Sequence, residues 1–356
     1  MLWWRRGRLS WRHDVAPLVP WLLVGATAGL FTAVVERHLI GADGAAFDLS
    51  WLQRGLLAGR VIWFYLGNLV WPAELSFIYP RWTIDPGVGW QWVPMAGAIT
   101  LTVGSWRKRH FSRAPLAAWL LFAGSLFPVL GFIDVYPFRY SFVADHFQYL
   151  PNLAVIALLA TALTAGARRL PPLTHGVLGV GLLGVLAVLT ARQSPMYRDS
   201  DALYRTTLAR NPECWMAHNN LGLILSARGQ GREALLHFRQ AVALKPDYFD
   251  GHNNLGLTLT QSGHPKEALP HLRQAVRLIP TAAQARNNLG IALAACGRPN
   301  EAVAAFRGAL HFMPDSPSVH DNLAKALRLA GRSQEAAAEA EQAVRLREVV
   351  RRTTAP

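Results

Sequence analysis

Long stretches without a charged residue dominate the first half of the chain. A helix needs about 20 apolar residues to cross a bilayer, and five stretches reach or approach that length. We therefore predict a helical membrane domain over residues 1–194. Its five predicted spans are residues 15–35, 90–106, 114–133, 147–167 and 170–191.

A sixth apolar stretch does not fit this pattern. Residues 61–73 are too short to cross a bilayer, contain Asn68 and Pro72, and end at Glu74. We interpret residues 58–82 as an interfacial or re-entrant segment, with a sixth span as the alternative.

Basic residues in short loops predict the orientation, because cytoplasmic loops are enriched in Lys and Arg. With five spans, all three basic clusters are cytoplasmic, and residues 36–89, 134–146 and everything after residue 192 are extracytoplasmic. A sixth span would place the second cluster outside, so we favour five. The clusters are Arg5, Arg6, Arg8 and Arg12; Arg107, Lys108, Arg109 and Arg113; and Arg168 with Arg169.

The second half of the chain is periodic. Five features recur in one phase at a constant interval, which predicts two helices in each repeat. One repeat cannot bury its own apolar face, so the repeats should stack into an α-solenoid. The features are Asn-Leu-Gly at 220, 254 and 288, with Asn-Leu-Ala at 322; Gly at 229, 263, 297 and 331; Glu-Ala at 233, 267, 301 and 335; Ala at 241, 275, 309 and 343; and Pro at 212, 246, 280 and 314.

The predicted fold class is therefore all-α, with a polytopic helical membrane domain followed by the α-solenoid. Residues 195–214 are predicted to form a capping helix and connector, and residues 351–356 a tail. Charge agrees with this division, because residues 1–194 contain 16 Lys or Arg and 8 Asp or Glu, against 20 and 14 in the rest. Twelve of the 13 Trp lie before residue 120, as in a membrane half followed by a water-soluble half.

Composition also excludes some chemistry. The net charge of +14 could suit nucleic acid, but much of it flanks apolar segments, so we predict no nucleic-acid partner. Two cysteines, Cys214 and Cys296, exclude a disulfide scaffold or a Cys-rich metal site. His218, His252 and His320 recur with the repeat, but equivalent residues in stacked repeats are about 10 Å apart, too far to share an ion. We predict no metal site and no cofactor.

The 34-residue pattern resembles the tetratricopeptide repeat (TPR), which has Gly at its eighth place, Ala at the twentieth and twenty-seventh, and Pro at the thirty-second. The predicted repeats are residues 215–248, 249–282, 283–316 and 317–350. The fourth departs from the pattern, because Ala324 replaces Gly and Glu348 replaces Pro. Its second helix should run on, with a polar end over residues 345–352 acting as a solvating cap.

One asparagine in each repeat is a candidate binding residue. A carboxamide offers both a donor and an acceptor, so it can pair with a peptide backbone whatever the side chains. The series resembles the asparagine ladder of the TPR region of O-GlcNAc transferase, and it predicts binding of extended protein segments. The alternative is that these residues serve helix packing or capping; if they bind peptide, their loss should weaken binding more than folding. They are Asn220, Asn254, Asn288 and Asn322.

Two motifs in the first half, Trp71–Ser76 with Tyr79-Pro80, and Ala144–Pro151, resemble those of membrane O-mannosyltransferases that carry C-terminal TPRs, and their bacterial relatives. These are GT-C-type glycosyltransferases, so the resemblance implies transfer of a sugar from a polyprenyl phosphate outside the cytoplasm, at a bacterial inner membrane. The chain resembles the C-terminal portion of such an enzyme. The catalytic carboxylate pair of the family is not recognisable, because nothing around Asp43 or Asp48 matches its motif.

Four polar residues are candidates for contact with the lipid phosphate. A guanidinium can fork onto phosphate oxygens, whereas the alternative is that each Arg merely reaches the interface with its head group. The candidates are Arg81, Arg139, Asp145 and His146.

Three functions therefore compete. The chain could be part of a GT-C-like enzyme, in which a membrane-anchored TPR module binds extended protein segments that are the acceptors for O-glycosylation. It could instead be a non-catalytic scaffold for assembly of an envelope protein complex. A transporter is disfavoured, because the spans lack acidic residues.

Overall fold

The computed structural model describes residues 10–36, 47–168 and 171–354. All regular secondary structure in these ranges is helical, as predicted, and helices account for 79% of the residues. The chain forms two compact units, Met1–Pro212 and Glu213–Pro356. The helices of the first unit are α1 Val19–Val35, α2 Trp51–Val70, α3 Trp92–Arg107, α4 Ala114–Leu126, α5 Tyr149–Ala167, α6 Pro172–Gln193 and α7 Ser200–Arg210.

The second unit is a series of antiparallel helix pairs. The first helices of the four pairs begin at the predicted period. Its helices are α8 Trp215–Ala227, α9 Gly231–Leu244, α10 Phe249–Gln261, α11 Pro265–Leu278, α12 Ala283–Ala295, α13 Pro299–Phe312, α14 Pro317–Leu329 and α15 Ser333–Thr354. The last helix runs on as predicted, so residues 351–354, which we predicted as a tail, are helical.

Helix α2 lies in the core of the first unit. Ser50 and Gln53 form a capping box at its start, so the helix begins before the segment 58–82 that we predicted as interfacial or re-entrant. Leu57, Val61 and Tyr65 are fully buried. The Tyr65 hydroxyl also accepts a hydrogen bond from the Ala144 amide at 3.0 Å, which ties α2 to the segment before α5.

Arg54 fixes the start of α2 to two distant parts of the unit. Its guanidinium meets both carboxylate oxygens of Asp134, at 2.9 and 3.1 Å. The same side chain donates to three backbone carbonyls, so all five of its N–H groups are used. The carbonyls belong to Phe47, Leu49 and Gly131.

Within the described residues, three helical segments are long and apolar enough to cross a membrane: Trp11–Val35, Asp145–Ala167 and Gly176–Tyr197. They overlap three of the five predicted spans. The helices over the other two are shorter than predicted. Helix α3 has 16 residues, and α4 gives way to a 3-10 turn at Phe127–Val129, before Gly131 redirects the chain with a φ of 96°.

Some predictions concern residues outside the described ranges. These include the orientation signal from Arg5, Arg6, Arg8 and Arg169, and the aspartate Asp43. Helix α7 forms within the predicted connector and is capped by Asp199, which accepts a hydrogen bond from Ala202 N at 2.8 Å. Its Tyr204 packs edge-on against Phe77, with ring centroids 6.4 Å apart.

Small residues bring the two helices of each pair together. A Cβ atom added to Gly222 would lie 2.7 Å from Cε1 of Phe238, and one added to Gly290 would lie 2.6 Å from the same atom of Phe306. The fourth pair differs at both places, with Ala324 and Ala340. In the fourth repeat, Ala324 replaces the glycine, and the residue opposite it is the small Ala340 instead of a phenylalanine.

Candidate functional site

The four candidate asparagines lie on the first helices of the four pairs, α8, α10, α12 and α14. In three of them the carboxamide nitrogen donates to an asparagine of the preceding pair. Asn254 Nδ2 lies 3.0 Å from Asn219 Oδ1. Asn288 repeats this contact with Asn253 at 3.0 Å, and Asn322 with Asn287 at 3.1 Å. The asparagines therefore form a ladder of three separate hydrogen bonds, one between each two neighbouring pairs.

The acceptors of these bonds are Asn219, Asn253 and Asn287, which were not among the predicted binding residues. Asn219, Asn253 and Asn288 are buried, so their amide groups bond to other asparagines instead of to water. Asn254, Asn288 and Asn322 thus each use one N–H group to hold neighbouring helix pairs together, which is the packing role given above as the alternative. The signal was present in the sequence, because Asn219, Asn253 and Asn287 recur with the same period as the donors.

The ladder is not saturated by these bonds. Each carboxamide has two N–H groups and an acceptor oxygen, and the inter-pair bond uses one N–H. Among the described residues, no group donates to the Oδ1 atoms of Asn254, Asn288 or Asn322. Asn220, Asn254 and Asn322 are partly exposed, whereas Asn288 is buried. The partly exposed Asn254 and Asn322 therefore each keep one N–H group and one acceptor oxygen for a ligand.

The C-terminal end of the ladder is closed by a charge pair. The fourth pair has Asp321 where the others have an asparagine. The guanidinium of Arg347, in the extended part of α15, bonds to the Asp321 carboxylate instead. The run-on of the last helix therefore caps the ladder, and it explains the change from amide to carboxylate.

A stripe of side chains lies beside the ladder on the same helix faces. Residues three positions after the ladder asparagines share their face of each helix. Leu223 is 44% exposed, and Leu257 and Ile291 are partly exposed. The fourth member is Lys325, which is exposed and forms no ion pair with the described residues. The face is thus apolar over three repeats and cationic on the fourth.

In the first unit, the two candidate arginines flank one turn. Arg81 Nε donates to the Phe138 carbonyl at 3.0 Å, and its guanidinium lies 4.5 Å from the ring centroid of Phe142. Arg139 directly follows Phe138, and its guanidinium lies 6.0 Å from the ring centroid of Tyr136. The fold thus brings Arg81 and Arg139, which are distant in sequence, to the same 3-10 turn.

Asp145 faces a different neighbour. Its Oδ1 accepts a hydrogen bond from the Tyr79 hydroxyl at 2.7 Å, and burial together with this carboxylate raises the pKa of Tyr79. The other oxygen, Oδ2, is buried and has no hydrogen-bond partner among the described residues. His146 is exposed and packs edge-on against Phe147. Burial also raises the pKa of the Asp145 carboxyl, which favours its neutral form.

Family models of the tetratricopeptide repeat match three segments of the chain, residues 222–263, 259–327 and 317–342. Together they cover most of the second unit, whose helices already show the 34-residue spacing. The second unit is built of tetratricopeptide repeats. Repeats of this kind form a protein-binding module.

Several solved structures resemble the TPR part of the chain. MamA from MSR-1 is 23% identical, with 45% of this chain and 95% of that chain covered and a TM-score of 0.38. MamA residues 41 to end from Desulfovibrio magneticus RS-1 are 20% identical, covering 47% and 93%, with a TM-score of 0.41. YrrB, a TPR protein with an unusual peptide-binding site, is 22% identical, covering 45% and 81%, with a TM-score of 0.39. No curated protein sequence matches the chain.

The fourth position of TPRs 2 to 4 bonds to the end of the preceding repeat. His252 Nε2 lies 3.0 Å from the Pro246 carbonyl, Arg286 Nε lies 3.0 Å from that of Pro280, and His320 Nε2 lies 2.9 Å from that of Pro314. These bonds join consecutive TPRs beside the asparagine ladder. The recurring His and Arg thus have a structural role, which their sequence period did not reveal.

Two histidine pairs also link the helices within a TPR. The Nδ1 atoms of His218 and His237 are 3.0 Å apart, and those of His252 and His271 are 3.1 Å apart. Burial lowers the pKa of His252 and of His271, and the charge of His252 lowers that of His271 further. Sequence reasoning compared histidines of different repeats and missed these pairs, although His237 and His271 also stand at equivalent places of successive repeats.

Proposed function

We propose that this chain is a multi-pass membrane protein whose extracytoplasmic TPR unit binds extended protein segments along the asparagine ladder. The observation that carries the proposal is the unused hydrogen-bonding capacity of the ladder. Asn254 and Asn322 each retain an acceptor and an N–H on a partly exposed face. A peptide backbone offers one donor and one acceptor per residue, which is the complement of that capacity.

The membrane anchor rests on the exposed apolar surface of the first unit. Leu22 and Leu183 are 64% and 67% exposed in helices with almost no buried residues. Water would not tolerate contiguous apolar surface of this extent, whereas lipid would. We retain the five-span topology with the TPR unit outside. A reporter fused after Thr190 should be active only outside the cytoplasm, and activity only inside would contradict the orientation.

The test of peptide binding must separate the ladder as a binding surface from the ladder as a packing device. We propose replacing Asn254 and Asn322 by Ala in the full chain, reconstituted in nanodiscs. The matched control replaces Asn219 and Asn287 by Ala. Both variants lose the same two inter-repeat hydrogen bonds, but only the first loses the carboxamides offered to the ligand.

Each lost bond should cost about 1 kcal/mol of folding free energy, and more where the residue left behind is the buried Asn219. Because these bonds join neighbouring repeats, both variants should lose stability, in addition to any effect on binding. Binding of a fluorescent, unfolded polypeptide should fall at least about tenfold in the first variant, since each amide pair contributes about 1 kcal/mol, and stay near wild type in the control. Equal binding by both variants and the wild type would refute the proposal.

A second candidate function is O-glycosylation of the bound segment from a polyprenyl-phosphate sugar, as the resemblance to GT-C enzymes implies. The position of Arg81 and Arg139 on one turn favours it, since two guanidinium groups suit a phosphate. A sugar hydroxyl would also satisfy the unpartnered Oδ2 of Asp145. Without these contacts, the chain would be a non-catalytic scaffold for an envelope complex.

Binding of a fluorescent polyprenyl phosphate to the full chain distinguishes the two. Replacing both Arg81 and Arg139 by Ala should abolish it, whereas Arg107→Ala, predicted to lie on the cytoplasmic side, should not. Unchanged binding in the double variant would leave only the scaffold.

A further inference from the structure

Two pairs of histidines meet inside single repeats. Equivalent histidines of neighbouring repeats are held about 10 Å apart by helix packing, too far to share an ion, but partners within one repeat are much closer. In TPR 2, His252 on α10 and His271 on α11 bring their Nδ1 atoms to 3.1 Å. TPR 1 repeats the arrangement with His218 and His237, whose Nδ1 atoms are 3.0 Å apart. Each pair therefore directs two imidazole nitrogens to one place.

The surroundings of His252 fix which of its nitrogens is available to an ion. Its Nε2 lies 3.0 Å from the Pro246 carbonyl, and because a carbonyl only accepts hydrogen bonds, this nitrogen carries the proton. In the neutral ring, Nδ1 then has a lone pair that faces His271. Metal-bound histidines almost always donate their other ring N–H to a carbonyl or carboxylate in this way. His271 can present its own Nδ1 lone pair by carrying its proton on Nε2, so both rings stay neutral.

The separation of the two nitrogens is close to that of two ligands on one ion. Nitrogen ligands lie about 2.0–2.1 Å from Zn²⁺ in a tetrahedral site, which places them about 3.3 Å from each other. The observed separations of 3.0 and 3.1 Å need to open by only a few tenths of an ångström. In the part of the chain that the structure describes, no group of three His, Cys, Asp or Glu is arranged around an ion. Water would therefore complete the coordination, on the side where His271 is partly exposed.

Charged side chains near the second pair affect a bound cation in opposite directions. Arg239 and Arg277 act on the two rings as positive neighbours. Glu267, one helical turn before His271, is negative, and its carboxylate lies 3.1 Å from the Arg239 guanidinium. Both side chains of this ion pair are more than half exposed, so the pair contributes little to stability and the carboxylate can turn towards an ion. Glu267 would thus offset part of the charge that an ion adds between two neutral rings.

The fourth repeat has a different contact at the same place. His320 Nδ1 lies 2.6 Å from Glu339 Oε2, and its Nε2 lies 2.9 Å from the Pro314 carbonyl. Because both neighbours are hydrogen-bond acceptors, both ring nitrogens act as donors and neither offers a lone pair. The change from a second histidine to Glu339 therefore replaces a pair of nitrogen ligands by an ion pair.

We propose that the His252–His271 and His218–His237 pairs each bind one late first-row divalent metal ion through their Nδ1 atoms. Imidazole nitrogen suits Cu²⁺, Zn²⁺ and Ni²⁺, and Cu²⁺ stands first among these in the usual order of affinities. Each ion joins the two helices of its repeat, so metal stabilises TPRs 1 and 2.

The experiment titrates Cu²⁺, and separately Zn²⁺, onto the full chain in nanodiscs at neutral pH. Calorimetry gives the number of bound ions and their affinity, and electron paramagnetic resonance counts the nitrogen ligands of Cu²⁺. The wild type should bind two more ions than a variant with His237→Gln and His271→Gln, each through two nitrogens. His271→Gln alone should remove one ion. The new glutamine can still donate a hydrogen bond to His252 Nδ1, so the contact between the helices is kept while the ligand is lost.

The matched control replaces His264 and His311, which are exposed and belong to neither pair, by Gln. It should bind as many ions as the wild type, and metal should raise its melting temperature as it raises that of the wild type but not that of the double variant. Loss of one ligand should weaken a site at least about tenfold, the smallest loss typical of an outer-shell partner. Equal binding by the wild type and the double variant would overturn the proposal and leave each pair as a hydrogen bond. Loss of both ions from the control would also overturn it, because binding would then belong to exposed histidines.

Discussion

The two units of this protein are each stabilised internally, but by different kinds of contact. The first unit depends on contacts that occur once, such as the Arg54–Asp134 pair, whose partners are 80 residues apart. The TPR unit repeats a small set of contacts, so that the Asn254–Asn219 bond recurs in Asn288–Asn253 and Asn322–Asn287.

The difference predicts how each unit responds to damage. Removing a contact that occurs once leaves nothing equivalent to replace it, and the buried groups that it satisfied become unpaired. In the solenoid each repeat contacts chiefly its neighbours, so stability is approximately a sum of similar terms. A single substitution should therefore cost more in the first unit than in the TPR unit.

The largest effect is expected for Arg54→Ala. It would leave the Asp134 carboxylate and three carbonyls without their donor. Breaking a fully buried pair typically costs about 3–5 kcal/mol, and because this pair is partly buried, we expect a cost near the lower end of that range. Thermal unfolding followed by tryptophan fluorescence reports on the first unit, because 12 of the 13 Trp lie before residue 120. The control is Arg205→Ala, because the Arg205 side chain is 46% exposed against 12% for Arg54, and its pair with Asp201 should contribute about 0–1 kcal/mol. Equal melting temperatures for the two variants would remove the contrast between the units.

A smaller effect is expected for Gly222→Ala in the TPR unit. The new Cβ would crowd Phe238, and overpacking of this kind costs about 1–3 kcal/mol. In a Phe238→Ala background the same change should become neutral or stabilising, because the fourth repeat already combines Ala324 with Ala340 and Ala favours a helix over Gly. Chemical denaturation followed by helical circular dichroism of all four variants gives the coupling. Additive effects would show that the helices do not meet closely at Gly222.

The smallest effect is a pH dependence of stability that arises at the His252–His271 pair. Burial lowers the folded-state pKa of His252 and His271 below the ordinary value of about 6.5. Below that pH the unfolded chain binds more protons than the folded one, so stability is complete above it and declines as the pH falls.

The melting temperature should therefore drop between about pH 7.5 and about pH 5.5, and His271→Gln should reduce that drop. His264→Gln, at an exposed position in the same repeat, serves as the control. A drop of the same size in both variants would assign the pH dependence to other groups.

The all-helical class, the 34-residue repeat and the positions that share a helix face could all be predicted from the amino-acid sequence. Periodicity fixes these, because apolar and small residues at constant spacing must stack to be buried. It also identified the ladder asparagines, although not what they contact. The extent of the apolar helices was less predictable. Helix α2 contains an apolar stretch that could enter a bilayer, yet it has a buried face that packs in the core of the first unit.

The partners of these residues depend on the tertiary structure. The acceptors of Asn254, Asn288 and Asn322 lie 35 residues earlier, one more than the repeat, and the histidine partners lie 19 residues apart. These offsets arise from the relative shift of packed helices, which close contacts such as Gly222 against Phe238 set. Arg54 and Asp134 had no periodic signal at all. A period specifies which residues are equivalent, whereas the packing of one helix on another specifies which of them meet.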